Sequence, residues 1–330
     1  MKKTSSRLFV FSAFALALIW GFSFSPAAQA QTIIKVGHTV TTNDPYHIGL
    51  VKMKEMIEAN TEGRYKLDIY PNSQIGSERD LAEGIRLGSV GMTVVACAPV
   101  SNFVPELAAI ELPFLLKDYE HVDRVFLGPI GQELADKVSK EARIKCLGFW
   151  EDGYTSISNT KRPINTVEDL AQLKIRTMEN EIHQKTIKAL GADPVPMAWG
   201  EAYTAMQQGA IDGVVQGISL VYSLKVGEIC KNVAETNHIY SPAILLVNQR
   251  IWNKMTDADK AVFEKAAKEG NLANRAANRE QCAAATANLE RQNVVVTKPD
   301  PAPFRAATAG IQKELFGDKY ADLIERIRNE

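Results

Sequence analysis

The sequence has little of what most enzyme sites are built from. No G-x-S-x-G nucleophile elbow, H-E-x-x-H zinc site, P-loop or dinucleotide-binding G-x-G-x-x-G occurs in its 330 residues. The five histidines, at positions 38, 47, 121, 183 and 238, show no metal-ligand spacing. His121 and His183 fall in helical patterns, where a surface or satisfied-core role is expected. The four cysteines, Cys97, Cys146, Cys230 and Cys282, are widely spaced and include no C-x-x-C pair, which argues against a redox dithiol or a zinc cluster. Cys97 and Cys146 lie in apolar runs and read as buried thiols. A disulfide among the four stays open in an oxidising compartment. The formal net charge of −1 is too mild to imply a nucleic-acid partner, and no fixed-period repeat is present to suggest a solenoid. These absences leave no constellation for catalysis, so a protein that is not an enzyme and carries neither metal nor cofactor is expected.

What is present begins at the N-terminus. Lys2, Lys3 and Arg7 precede the apolar run "LFVFSAFALALIW", and Ser25, Pro26 and the small-residue stretch "AAQA" follow it. These are the three parts of a secretory signal, with cleavage expected after Ala30 and residues 1–30 removed. The run is shorter than the roughly 18–20 residues that cross a bilayer, which argues against an uncleaved anchor. No cysteine follows the cleavage site to carry a lipid. A periplasmic protein is expected.

About 300 residues then remain, more than a single core usually serves, so two lobes are expected. "TIIKVGHTV" has the pattern of a strand, and Asn43, Asp44 and Pro45 are residue types that start the helix "PYHIGLVKMKEMIEAN". "YKLDIYP" predicts a second strand, Ser77 to Asp80 a capping box that opens a helix, and "VGMTVVACA" a third strand. The grammar restarts after "IKCLGFWEDG". "YTSIS" reads as a short extended piece, Thr166 to Asp169 as a capped turn, and "LKIRTM" as a strand. Helices ended by Gly191 and Gly209 follow, with "PVPM" between them. Alternating strands and helices imply α/β lobes with parallel pairing. Thr256 to about Asn293 favours helix throughout, and at 1.5 Å per residue would run about 55–60 Å. Such a helix bends at Gly270 and Asn271, spans both lobes, or does both.

The blocks "RPINTVEDLAQLKIRT" and "ALGADPVPMAWGEAYTAMQQGAIDG" closely resemble the solute-binding subunits of TRAP transporters, the tripartite ATP-independent periplasmic uptake systems. "YPNSQIGSERDLAEGIRLGSVGM" and "LPFLL" are similar to first-lobe motifs of that family, and "ETNHIYSPAILLVNQRIWNKM" to its return segment. The resemblance covers nearly all of the chain after the signal. It implies a two-lobe α/β binding-protein (venus flytrap) architecture with crossing hinge strands and a long lobe-spanning helix. The expected lobes are residues 31–152 with 242–281 and residues 153–241 with 282–330, hinged near Gly153 and Ser241. A monomer that closes on a small organic acid and delivers it to membrane permease subunits is implied.

The resemblance also assigns candidate residues one at a time. Arg176, in "LKIRTMEN", falls where the family's arginine pairs with the ligand carboxylate. From the strand pattern alone this arginine would be expected to face water. Asn180 follows just after that strand. Gln216 sits where an amide, more usually Asn, helps to hold the carboxylate. Trp199 occupies the place of an aromatic ring that lines the cleft, with core packing as its plainer role. Glu78 and His38 are first-lobe candidates that could equally be a helix-start charge and a loop residue. Members that bind sialic acid or uronates often carry a second arginine after a Gly-aromatic pair. Here that pair is Gly153 and Tyr154, and Thr155 stands in the arginine's place. Arg162 lies too far along to restore it. With Tyr154, Trp199 and Met178 near the pocket, a monocarboxylate with an apolar or aromatic body is expected. A sugar acid or C4-dicarboxylate, a role in feeding a chemosensory receptor, and a periplasmic enzyme on the same scaffold are the alternatives.

Overall fold

The computed structural model describes residues 31–330, so the expected signal segment lies outside the described residues. The strands in chain order are β1 (Thr32–Gly37), β2 (Tyr65–Tyr70), β3 (Met92–Ala96), β4 (Ile144–Asn159), β5 (Lys174–Thr177), β6 (Asp193–Pro196), β7 (Gly213–Gly217), β8 (Asn232–Ala234), β9 (Tyr240–Asn248) and β10 (Val295–Thr297). They join in the order β2-β1-β3-β9-β4-β7-β5-β6, with β8 pairing both β4 and β10. Parallel pairs β1/β2, β1/β3, β5/β6 and β5/β7 mark the two α/β halves. The antiparallel strands β4 and β9 join them.

Strands near the middle of the first half are buried on both faces, which explains their unbroken apolar sequence. Along β9, Ile244 and Leu246 pack with Val95, Phe126 and Phe149 on one face. Ala243, Leu245 and Val247 pack with Val94, Leu50 and Phe263 on the other. The second half repeats this arrangement, with Val214 and Val215 of β7 in separate clusters.

The expected break before "YTSIS" is absent. β4 is one 16-residue strand that pairs with β9 as far as Tyr154 and with β7 from Thr155 onward. Its register slips between Glu151 and Gly153, and Gly153 has φ 108°. An alanine there would be strained twice over, because its Cβ would meet Asn278 Nδ2 at 2.9 Å. A turn residue in this strand therefore marks a bulge rather than an end.

The long helix also runs unbroken, over the 35 residues Asp257–Arg291. Thr256 caps it by accepting from the Asp259 N–H. Phe263 and Ala266 pack in the first half, and Ala285 and Leu289 in the second, so the helix spans both. Gly270 does not interrupt it. A Cβ there would lie 2.8 Å from the Gly49 carbonyl oxygen of the Pro45–Asn60 helix, so the glycine permits close contact between the two helices.

The last helix, Ala321–Asn329, has contacts with the first half. Leu323, Ile324 and Ile327 pack with Val122, Val125 and Phe126 of the first, and His121 Nε2 lies 2.6 Å from the Ile327 carbonyl oxygen. The apolar stripe of this short amphipathic helix could have served either half. All four cysteines are free thiols. Among the described residues no helix is long and apolar enough to cross a membrane.

Candidate functional site

Arg176 does not face water. It is 3% exposed on β5, opposite Ile175, which packs in the core. Its Nε donates to the Met197 carbonyl at 3.0 Å, and its guanidinium lies 5.5 Å from the Trp199 ring centroid. Among the described residues the two terminal nitrogens have no hydrogen-bond partner, and Arg176 lines a cavity between the halves. Burial lowers the guanidinium pKa to about 10, against the opposing charges of Glu78, Glu179 and Asp152. The side chain is therefore charged at neutral pH. A planar fork with two free donors can take both oxygens of one carboxylate.

The facing wall comes from the first half. Glu78 is the first residue of the helix Glu78–Leu87, which Ser77 and Asp80 cap reciprocally. Its Oε1 accepts from the Ala96 N–H at 3.0 Å. Burial raises its pKa, the Ala96 bond and Arg176 lower it, and Glu111 raises it. Thr39, Ser73, Ser77 and Asn102 complete a polar lining, while Trp199, Met178 and Pro99 provide apolar surface. The Arg79–Glu179 ion pair joins the halves, at 3.5 Å.

Three of the expected residues, Arg176, Trp199 and Glu78, therefore line one cavity. Gln216 is close by in register. Arg176 pairs with Val214, so Gln216, two residues further on β7, shares its sheet face. Its Oε1 accepts from its own neighbour's N–H, that of Gly217.

The other four are engaged elsewhere. Asn180 caps the helix Glu181–Ala189 by accepting from the His183 N–H, and its amide donates to Glu111 at 3.2 Å. That carboxylate also meets His183 Nε2 at 3.3 Å. Both ends of the Asn180 side chain are thus occupied, the oxygen in capping its own helix and the amide in joining the halves. Tyr154 packs edge-on against Tyr119 and Tyr240. The Thr155 hydroxyl donates to the Ile239 carbonyl at 3.1 Å. His38 is buried with Nε2 3.0 Å from His47 Nδ1, and burial lowers its pKa to about 4.

Sequence reasoning missed Thr39, Ser73, Ser77 and Asn102, whose residue types are common in loops and carry no signal of their own. Among the described residues no cluster of three or more His, Cys, Asp or Glu side chains could hold a metal ion.

Comparison with known proteins gives the family and the fold. The family described as bacterial extracellular solute-binding protein, family 7, matches residues 36–319. A solute-binding protein of Verminephrobacter eiseniae is 35% identical over 303 residues, 92% of this chain and 90% of that protein. A TRAP periplasmic solute-binding protein from Polaromonas sp. JS666, solved with D-erythronate bound, is 36% identical with a TM-score of 0.88. The match covers 90% of this chain and 98% of that one. A second TRAP protein, from Bordetella and with density assigned to pantoate, is 34% identical with a TM-score of 0.88 over 91% of this chain and 99% of that one. A family match over most of the chain, a shared two-lobe fold and a buried arginine fork between the lobes make this chain a TRAP-type periplasmic solute-binding protein of family 7.

Proposed function

We propose that the protein captures a short hydroxylated monocarboxylate of the sugar-acid class and passes it to the membrane permease of a TRAP transporter. The observation that carries this reading is Arg176, a nearly buried guanidinium whose two terminal nitrogens have no partner among the described residues. A buried charge is costly unless paired, and a ligand carboxylate supplies the pair. Trp199 covers one face of the guanidinium, and Glu78 and Gln216 lie within the same cleft region.

The body of the ligand is read from the facing wall. Thr39, Ser73, Ser77, Asn102 and Glu78 offer donors and acceptors to hydroxyl groups. This supports the sugar-acid alternative over the apolar or aromatic body expected from the sequence. The relatives solved with D-erythronate and pantoate point the same way, since both compounds are four-carbon-chain acids with a hydroxyl beside the carboxylate. Mass spectrometry of the ligand released when the purified protein is denatured tests the reading. Recovery of an acid without hydroxyls, or of no acid from protein that also fails to bind D-erythronate, would overturn it.

The lobes in this reading are residues 31–152 with 242–281 and 321–330, and residues 153–241 with 282–320. They move about the bulge at Gly153 and the paired Ser241. A ligand shifts such an equilibrium only through its greater affinity for the closed state. Saturating ligand should therefore lower the radius of gyration in X-ray scattering. Identical curves with and without tightly bound ligand would rule out the hinge.

A further inference from the structure

The segment that carries Arg176 runs on into a buried polar contact with the opposite half. Arg176, Met178 and Glu179 line the cavity, and Asn180 and His183 follow closely in the chain. Their partner is Glu111, in the loop between the helices Glu106–Ala109 and Tyr119–Leu127 of the first half. Glu111 Oε2 accepts from the Asn180 amide at 3.2 Å, and Oε1 lies 3.3 Å from His183 Nε2. Glu111, Asn180 and His183 are 0%, 4% and 1% exposed. Ile110 and Leu112, on either side of Glu111, pack in the first-half core. Ile187 and Leu190, further along the helix of His183, pack with Ile157 and Ile175 of the second. Each side of the contact is thus anchored in its own half. The Arg79–Glu179 pair, which also joins the halves, has both side chains well exposed, and an exposed ion pair holds surfaces together only weakly.

We infer that Glu111 is a positioning residue for ligand binding, which receives Asn180 and His183 when the lobes close, fixes the register of the closed state and slows release of the acid. The inference rests on the reading that Arg176 holds the acid between closing lobes. Open lobes leave all three side chains to water, and closure strips that water away. A carboxylate and an amide can be buried at little cost only when they are paired. Halves that met out of register would leave both unpaired, so one closed arrangement is favoured. That arrangement sets the Arg176 fork, four residues before Asn180, in one cavity with Ser77 and Glu78 of the facing wall. Ile182, between Asn180 and His183, packs in the first-half core and adds apolar area to the same contact. Opening with the acid bound has to break this contact as well as those to the ligand, so Glu111 acts on release rather than on capture.

Stopped-flow binding of D-erythronate separates this role from a merely structural one. Glu111→Ala and His183→Ala, one change in each half, should each raise the dissociation rate about tenfold or more, the scale of a lost hydrogen bond to a charged group. The association rate and the melting temperature of the ligand-free protein should hold, because the contact forms only on closing. The double variant should release the acid about as fast as Glu111→Ala alone, since the two side chains meet each other. Two single variants guard against one that fails to fold, circular dichroism identifies the native ones, and either suffices for the rate. Unchanged dissociation in a folded single variant, with or without a loss of ligand-free stability, overturns the inference and makes the contact a fixed part of the fold, while leaving the Arg176 reading intact. Effects on release that simply add in the double variant also overturn it. Wild-type protein that does not bind D-erythronate removes the sugar-acid reading and this inference together.

Discussion

Replacing Arg176 by lysine should weaken binding of the acid about tenfold to a hundredfold or more and hardly change the stability of the ligand-free protein. Lysine keeps the charge but presents it as a point from a shorter reach, so one carboxylate oxygen loses its donor. A lost charge-assisted hydrogen bond is worth roughly 1.5–3 kcal/mol, and tenfold in affinity corresponds to about 1.4 kcal/mol. Arg176 also loses its bond from Nε to the Met197 carbonyl, which orients the fork. Ligand-free stability should hold because one buried cation, costly in either form, replaces another. Calorimetry with D-erythronate, alongside thermal melts of both proteins, checks the two halves of the expectation. Unchanged affinity would make Arg176 a structural residue of β5.

Glu151→Ala should destabilise the protein by about 3–5 kcal/mol, the usual cost of breaking a buried ion pair by removing one partner. Glu151 is 0% exposed. Its carboxylate accepts from Arg275 Nη1 at 3.2 Å, from Arg279 Nη2 at 3.0 Å, and from Asn278 and the Tyr240 hydroxyl. Its backbone is held as well, since Asn274 accepts from the Glu151 N–H at 2.8 Å and donates to the Glu151 carbonyl at 3.1 Å. These bonds satisfy β4 where the bulge interrupts its ladder and fasten the long helix to the crossing strand. Alanine leaves the almost fully buried Arg275 with neutral partners in Asn271 and the Phe149 carbonyl and, among the described residues, one carboxylate, the outer Asp123. For a chain of this size the loss corresponds to a melting temperature lower by roughly 5–8 °C. Asp123→Ala provides the contrast. Asp123 binds the same two arginines, but its side chain is about one-third exposed, so its removal should cost about 1 kcal/mol or less. Equal losses for the two variants would mean that burial does not set the value of this network.

The signals that could be read correctly from the sequence were local ones. Ser77 and Asp80 do cap a helix, Thr166 and Asp169 do cap a turn, and Asp44 with Pro45 does open the first helix. Each depends on atoms within a few residues, so the sequence carries the whole interaction. Gly153 and Gly270 could not be interpreted this way, for the opposite reason. A glycine signals that a side chain is not tolerated, without saying whether a turn, a bulge or a neighbouring helix excludes it. Asn278 and Gly49 are those neighbours, 125 and 221 positions away in the chain.

The candidate site divides along the same line. The helix caps, most strands and the expectation of two lobes were legible in the sequence through alternation, capping and length, while the candidate role of Arg176 came from the resemblance of its motif. Tertiary structure decided what the alternation of "LKIRTMEN" left open, because period two assigns a face but not what covers it. It turned Arg176 towards a cavity rather than solvent, and it committed Asn180 to Glu111 and Tyr154 to Tyr119 and Tyr240. It also brought Glu78 of the first half and Trp199 of another segment to the same cavity as Arg176. Desolvation and unbalanced charge arise only when distant segments exclude water together. No local pattern of residues encodes them.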